Sequence, residues 1–325
     1  MESTPTFNPH STIGAYQIGV LISYMLFGVT TTQAYIYYSR FPDDSRQLKT
    51  LVAVVWFGEL GHTICIGHTL YAFTILDYGN PERLLGPAPK SLETSMLLGS
   101  IAVTSVQVFF AFRIYKFSKK LQIPIVSWTL SFVRQLAALT IFVAALRPIP
   151  VATYDPKWRW LFLIYWSVSS INDLTITVAF VVMLLARRSH VFARTKALVD
   201  KLIGWSIETR MPPTLFGMAT LACYVSNSGN FIWLGMFAIS TRMYSNCFLA
   251  SLNSRTTLRA MNEVSVPFSL AATEPSSNGQ VMKGLEFAHS GSSRGQSSEA
   301  SPTRVISHNA PSSRNNSSFV NLNII

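Results

Sequence analysis

Seven long apolar runs constrain this sequence more than any other feature. A helix that crosses a lipid bilayer needs about 20 mostly apolar residues, and stretches of that kind are not left exposed on a soluble protein. The runs cover residues 14–38, 50–75, 94–115, 124–146, 159–186, 202–225 and 230–250. Only 13% of the 325 residues are charged, whereas about 25% is usual in globular domains. The sequence therefore predicts an all-α fold, a polytopic transmembrane bundle of seven spanning helices.

Two segments of different character flank this predicted bundle, which occupies residues 14–256. Residues 1–13 have no Lys or Arg and are predicted to be a short extracellular N-terminus. The first apolar run is too long for the core of a cleaved signal peptide, so we interpret it as a signal anchor that is retained. Residues 257–325 are rich in Ser, Asn, Gly and Pro, and such a composition cannot bury enough apolar surface to offset its ordering entropy. They are predicted to form a disordered cytoplasmic tail.

The predicted orientation rests on the basic residues in the connections between runs. The connections on one side carry 14 Lys and Arg residues against 5 on the other. Basic residues are retained on the cytoplasmic side, so we expect the N-terminus outside and the C-terminus in the cytosol, with the plasma membrane favoured over internal membranes. This distribution accounts for the net charge of +11 without nucleic acid as a partner. The expected partners are the lipid bilayer and, at the inner loops and tail, a cytoplasmic signalling protein.

Ionisable and polar side chains inside the runs are the candidate functional residues, because an unpaired charge there costs about 2.5–3.5 kcal/mol. The candidate buried polar network consists of Glu59, His62, Gln107, Arg134, Asn172, Asp173, Glu208, Arg210, Arg242 and Asn246. Three acids and three bases lie at similar predicted depths, so we expect Glu59 to pair with Arg242 and Asp173 with Arg134. The proline pair at 212–213 should kink the sixth helix or delay its start, because proline lacks a backbone donor.

Two interpretations of this network stay open. Its polar faces either form interhelical hydrogen bonds, each worth about 0.6 kcal/mol, or line a cavity for a ligand or an ion. Glu59 and His62 form an E-x-x-H pair, but a metal site of this type needs further ligands, which the other runs do not supply. The three cysteines have no metal-type spacing, and we find no nucleophile–base pair. The sequence therefore predicts neither catalysis nor a metal or other cofactor.

Two well-known classes share seven helices and an outside N-terminus. The run 230–250 contains no Lys, which excludes a microbial rhodopsin with its retinal Schiff base. Residues 112–115 read FRIY where the commonest G-protein-coupled receptors have D/E-R-Y, and residues 245–248 read SNCF in place of the start of N-P-x-x-Y. Only the architecture is shared with these receptors, and architecture does not fix function.

Other motifs resemble those of the fungal (basidiomycete) DUF6534 membrane proteins. These motifs are FGELGH at 57–62, HTLY at 68–71, YGNP at 78–81, DL at 173–174, the loop 187–202 and YSNCFLASLNSR at 244–255. The resemblance covers about residues 14–256, and the family usually has Asp at the position of Glu59. It implies a fungal multi-pass protein that has no assigned activity.

We therefore expect a multi-pass membrane protein of unassigned biochemical activity. A receptor-like or sensory role is the first hypothesis, because the predicted topology, the basic inner loops and the polar faces favour it. The alternative is a small-solute or ion transporter that uses the buried charges at mid-membrane as its path, and a membrane-embedded enzyme ranks third. A cavity open to the outer face would favour a receptor, a continuous polar path would favour a transporter, and a closed, dry core would weaken all three.

Overall fold

The structure is a computed structural model that describes residues 8–80, 88–146, 151–188, 193–227 and 229–256. The regular elements in these ranges are helical. The helices are α1 (Ala15–Arg40), α2 (Arg46–Tyr71), α3 (Lys90–Ser118), α4 (Gln122–Ala145), α5 (Val151–Arg188), α6 (Ala193–Ser226) and α7 (Ile232–Asn253). Short π-helical turns precede α1 (His10–Gly14) and follow α2 (Ala72–Leu76). The all-α prediction is confirmed for this part of the chain, whereas the predicted tail lies outside the described residues.

Five of the helical segments are long and apolar enough to cross a membrane. These are His10–Arg40, Arg46–Leu76, Lys90–Ser118, Gln122–Ala145 and Trp158–Met183. The described residues of α6 and α7 do not meet the same criterion of length and composition. In α7, 15 of the 22 residues are buried, so most of this helix contacts other parts of the bundle. Five apolar helices agree with the prediction of an integral membrane protein.

The helices form a ring in the order of the sequence. Each helix packs beside the next one, and α7 closes the ring by packing along α1. The third helix lies towards the interior, because it contacts α5 and α7 in addition to its two sequence neighbours. Gly19 and Gly235 allow α1 and α7 to approach closely, since a Cβ atom on Gly19 would lie 2.4 Å from the Cα of Gly235. Small residues at such crossings are typical of membrane helices.

The bundle has an apolar surface and a partly polar interior, which is the reverse of a soluble protein. Large apolar side chains such as Met25, Phe132 and Val178 are 58–75% exposed on its outside. Glu59 and Arg242 have no exposed surface at all. An apolar surface that extends over several helices needs a cover, and lipid is the cover that fits five apolar helices of spanning length.

Of the two alternatives predicted for the proline pair, a kink or a delayed start of α6, the delayed start is not observed. The helix begins at Ala193 and continues through Pro212 and Pro213 to Ser226. Each proline removes one backbone hydrogen bond, but the turns on both sides of the pair are helical. Both α5 and α6 extend beyond the apolar runs 159–186 and 202–225. A search for about 20 mostly apolar residues finds only the part of a helix that matches the thickness of a bilayer.

Candidate functional site

Arg242 is the centre of a buried polar cluster between α1, α2 and α7. Its guanidinium forms an ion pair with the carboxylate of Glu59 on α2, and both side chains are fully buried. Its Nε donates a hydrogen bond to the hydroxyl of Ser23 on α1 (2.9 Å), and its Nη2 donates to the hydroxyl of Thr63 (2.8 Å). Its Nη1 also lies 3.0 Å from the backbone oxygen of Glu59. Each guanidinium nitrogen therefore has a partner, which offsets part of the cost of burying the charge.

Ser245 and His62 complete this cluster. The Ser245 hydroxyl, one turn from Arg242, donates to the second carboxylate oxygen of Glu59. The Nδ1 of His62 lies 3.0 Å from Nη2 of Arg242. Because a guanidinium only donates, this contact assigns Nδ1 as the acceptor and places the ring proton on Nε2. The imidazole packs edge-on against Phe237, and its Nε2 has no hydrogen-bond partner among the described atoms.

Asp173 on α5 is the centre of a second buried cluster. Its Oδ1 accepts a hydrogen bond from Nε2 of Gln107 on α3 (2.9 Å), and its Oδ2 accepts one from the hydroxyl of Tyr244 on α7. The chain of contacts continues to α4, where the Ser131 hydroxyl donates to the Gln107 side chain (3.4 Å). Asn172 in turn donates to the Ser131 oxygen (2.9 Å). The cluster thus joins four helices through side chains that are almost fully buried.

Arg134 and Asp173 do not form the direct pair that we predicted. The Nη2 of Arg134 donates to the backbone oxygen of Ser100 (2.8 Å) and to the hydroxyl of Thr104 (2.6 Å), both on α3. Its guanidinium also lies 5.4 Å from the centre of the Tyr165 ring. The Nη2 of Arg134 is therefore bound to oxygens of α3, and its Nε has no hydrogen-bond partner among the described atoms.

Two charged residues of α6 have different environments. Arg210 is buried, with its guanidinium 3.9 Å from the centre of the Phe110 ring. Glu208 is exposed, so the structure does not include it in the polar network for which it was a candidate. Positions two apart on an α-helix point in nearly opposite directions, because each residue turns by about 100°. One of the two side chains therefore faces the bundle and the other faces away from it.

The seventh helix connects both clusters. Arg242 contacts α1 and α2, Tyr244 contacts α5, and the Asn246 side chain donates to the backbone oxygen of Leu26 on α1 (3.1 Å). Because residues 242 and 244 are two positions apart, the clusters lie at nearly one depth on different sides of α7. Tyr244 is a member that the sequence analysis did not predict, since a single tyrosine in an apolar run has no distinctive spacing. The one indication in the sequence was that Tyr244 lies two residues after Arg242, and therefore at nearly the same depth as this buried arginine.

A third charged group lies at the end of the bundle where α1 and α7 finish and α2 begins. The guanidinium of Arg255 binds the Asp44 carboxylate through two hydrogen bonds (3.2 and 2.5 Å), and the Tyr37 hydroxyl donates to the same carboxylate (2.9 Å). Beside this pair lies a cavity of about 520 Å³, whose lining includes Arg113 and Lys116. We call it the basic cavity. In the sequence, Arg113, Lys116 and Arg255 indicated only the orientation of the chain.

A second cavity, of about 510 Å³, lies between the start of α1 and the end of α2, and His10, Gln17 and Asp77 contribute to its lining. The two cavities are therefore at opposite ends of α2. Glu59 and His62, which lie between these ends, are fully buried and line neither cavity.

Residues 169–257 match the model of DUF6534, a family of unknown function. The match begins within α5 and includes α6 and α7, so it contains Asp173, Arg210, Arg242 and Tyr244. It supports a DUF6534 domain in this part of the chain, whereas the resemblance that we noted in α2 lies outside the matched segment. No match was found among the curated proteins.

The two clusters provide charge pairing and hydrogen bonding. Within the ranges that the structure describes, no three His, Cys, Asp or Glu side chains come together as a metal site would require. The Glu59–His62 pair contacts an arginine where a metal site would hold a cation. The arrangement holds α7 at two points, and it is suited to fixing or switching the position of that helix.

Proposed function

We propose that this protein is a seven-span integral membrane protein with a receptor-like, sensory role. The observation that carries the proposal is the attachment of α7 to the bundle through two buried clusters, one with Arg242 and Glu59 and one with Tyr244 and Asp173. Ionisable groups inside a membrane are costly and mark functional positions. A helix that is held by a few discrete polar contacts can exchange one set of partners for another, which is how helix shifts transmit signals.

The lengths of the last two helices support seven spans. α7 has 22 residues and α6 has 34, and at about 1.5 Å per residue even the shorter one is long enough for a hydrocarbon core of about 30 Å. The outer face of α6 is apolar, with Met211, Leu215 and Met218 exposed. The polar residues of α7 are mostly buried against its neighbours, so its low hydropathy is compatible with a membrane-spanning position.

The proposed orientation places the N-terminus outside and the basic connections in the cytosol of a plasma membrane. Glycosylation acceptor tags at each terminus test it, because only a tag in the lumen of the secretory pathway is modified. We expect glycan on the N-terminal tag and none on the C-terminal tag. Modification of both tags would contradict an odd number of spans.

A transporter for a small solute or ion is the alternative. Its charges would need to line a path through the bundle, but the two cavities lie at opposite ends of α2 and the fully buried Glu59 and His62 lie between them. Thr104 does line the basic cavity and binds Arg134, which gives one contact between a cavity and the polar network. The interruption by these buried residues counts against a continuous polar path, whereas the cavity at the start of α1 lies at the outer end of the bundle in the proposed orientation, as a receptor would need.

A strain that lacks the gene separates the two functions. Transcriptional responses to external cues and uptake of labelled solutes are measured in this strain and after complementation with the wild type. For a receptor we expect the wild type to restore a response and Tyr244→Phe, which removes the hydroxyl contact with Asp173, to change its basal or maximal level. Tyr35→Phe is the matched control, because Tyr35 is 74% exposed on the lipid-facing surface. Restored uptake without a restored response would favour the transporter.

A further inference from the structure

The basic cavity holds an excess of positive charge. Its lining includes the cations Arg113, Lys116 and Arg255 and no carboxylate. Arg255 is neutralised by Asp44, which contacts it from the side. The other two cations have no acidic partner within 4.0 Å in the described part of the chain.

Arg113 is the most informative of these cations, because it is buried without a counter-charge. Only 8% of its surface is exposed, and its Nη1 donates to the neutral hydroxyl of Ser251 (2.6 Å). Its Nε is buried and has no hydrogen-bond partner among the described atoms. Its guanidinium also lies 5.3 Å from the centre of the Phe180 ring, a contact that brings no negative charge. A buried guanidinium without a counter-charge is costly unless an anion accompanies it.

The rest of the lining is apolar and aromatic. Leu51, Val108, Phe112 and Trp128 form parts of the walls, and a cavity of about 520 Å³ has the size of a typical small-molecule site. Ser45, the N-terminal cap of α2, also borders it, so the positive end of a helix dipole points to the same space. A ligand that combines an anionic group with apolar chains matches this lining.

The position of the cavity indicates where such a ligand comes from. It lies between the start of α2, the end of α3, the start of α4 and the end of α7, which is the end of the bundle with the basic connections. In a cell membrane the leaflet next to such connections is rich in anionic lipid. The acyl chains and the headgroups of anionic lipids are therefore both available at the depth of the basic cavity.

We propose that the basic cavity binds the headgroup of an anionic phospholipid, with its phosphate at Arg113 and Lys116 and the first part of its acyl chains along the apolar walls. This proposal rests on the proposed membrane position of the helices. It assigns the cavity a lipid of the inner leaflet as a resident or regulatory ligand, next to the end of α7 that carries Arg255.

Native mass spectrometry of the full chain in a zwitterionic detergent tests the proposal. Phosphatidylinositol and phosphatidylcholine with the same acyl chains are added in equal amounts, and the bound fractions are compared. We expect at least about five-fold more phosphatidylinositol bound, because one basic residue near an anionic lipid contributes about a factor of five. Lys116→Gln should reduce this preference by about five-fold. Lys90→Gln is the matched control, because both lysines are exposed on α3 and lie at opposite ends of it.

Three results would overturn the proposal. These are equal binding of the two lipids, an equal loss of preference in Lys90→Gln, and full displacement of the lipid by glycerophosphoinositol, which would make a soluble phosphate the ligand. Arg113→Gln serves as a second variant, and its thermal unfolding in the same detergent shows whether it is folded. Since these measurements need neither orientation nor signalling, a negative result leaves the glycosylation and gene-deletion experiments unaffected.

Discussion

The buried pair between Glu59 and Arg242 gives the sharpest prediction for stability. Both side chains are fully buried and face each other across α2 and α7. Replacing either one by glutamine leaves a charge in the interior without its partner, whereas replacing both removes the two charges together. The two single variants and the double variant therefore form a thermodynamic cycle that measures the coupling within the pair.

The expected magnitudes follow from the contacts that remain in each variant. Arg242→Gln removes the donors to Ser23 and Thr63 and leaves the Glu59 carboxylate without a counter-charge. Loss of one partner of a buried pair costs about 3–5 kcal/mol, and we expect this variant at the upper end. Glu59→Gln should cost about 3 kcal/mol, at the lower end, because the guanidinium keeps its bonds to both hydroxyls and to His62.

The free energy of unfolding is measured by titrating sodium dodecyl sulfate into mixed micelles and following the helical circular dichroism signal. The double variant Glu59→Gln/Arg242→Gln should lose less than the sum of the two single losses, with a coupling of about 1–3 kcal/mol. Arg159→Gln is the control, because Arg159 is exposed at the end of an apolar segment, and it should change stability by about 0.5 kcal/mol or less. A double variant whose loss equals the sum would refute the pairing.

Two further substitutions test the packing and the second cluster. Gly19→Ala should lower the unfolding temperature, because the added Cβ would overlap the backbone of α7 at 2.4 Å. Gly28→Ala should leave the unfolding temperature unchanged or raise it, since no atom lies within 4 Å of the Cβ added there. A larger loss in Gly28→Ala than in Gly19→Ala would contradict the close contact of α1 and α7. Gln107→Leu should cost about 1–3 kcal/mol, because Oδ1 of Asp173 loses its donor, while the exposed Gln17 provides the control Gln17→Leu. Equal losses in the two leucine variants would show that the buried amide contributes nothing specific.

The sequence was sufficient to predict seven helices and the partner of Glu59. Long apolar runs locate the helices directly, because a membrane-spanning helix needs about 20 mostly apolar residues. Glu59 and Arg242 were predicted to pair because they lie at similar depths in their helices. For Asp173 the same reasoning predicted Arg134 as the partner, and this prediction was wrong. Depth alone does not say how far each helix is rotated about its axis, and in the structure the Arg134 guanidinium contacts oxygens of α3 and not the carboxylate of Asp173.

The rotation of a helix about its axis also explains two errors in the predicted polar network, which included Glu208 and omitted Tyr244. Both depend on which face of a helix meets the bundle. The sequence of α6 has only a weak one-sided apolar pattern, and most of α7 is buried, so neither pattern singles out the contacting residue. The basic cavity could not be predicted from the sequence. Its cations come from α3 and from the end of α7, and only the closure of the ring of helices brings them to one place.

The contacts between α1 and α7 support a membrane-spanning position for α7 in spite of its polar composition. In order along both helices they are Gly19 with Gly235, Ser23 with Arg242, Leu26 with Asn246, and Gln33 with Asn253. The numbers rise together, so the two helices run parallel and in contact over most of their lengths. If the apolar α1 crosses the bilayer, α7 crosses it in the same direction, and the polar face of α7 is then shielded from lipid by α1 and its neighbours. Mean hydropathy counts every residue of a helix as if it faced lipid. It therefore underestimates how well a helix fits a membrane when its polar residues form hydrogen bonds inside the bundle.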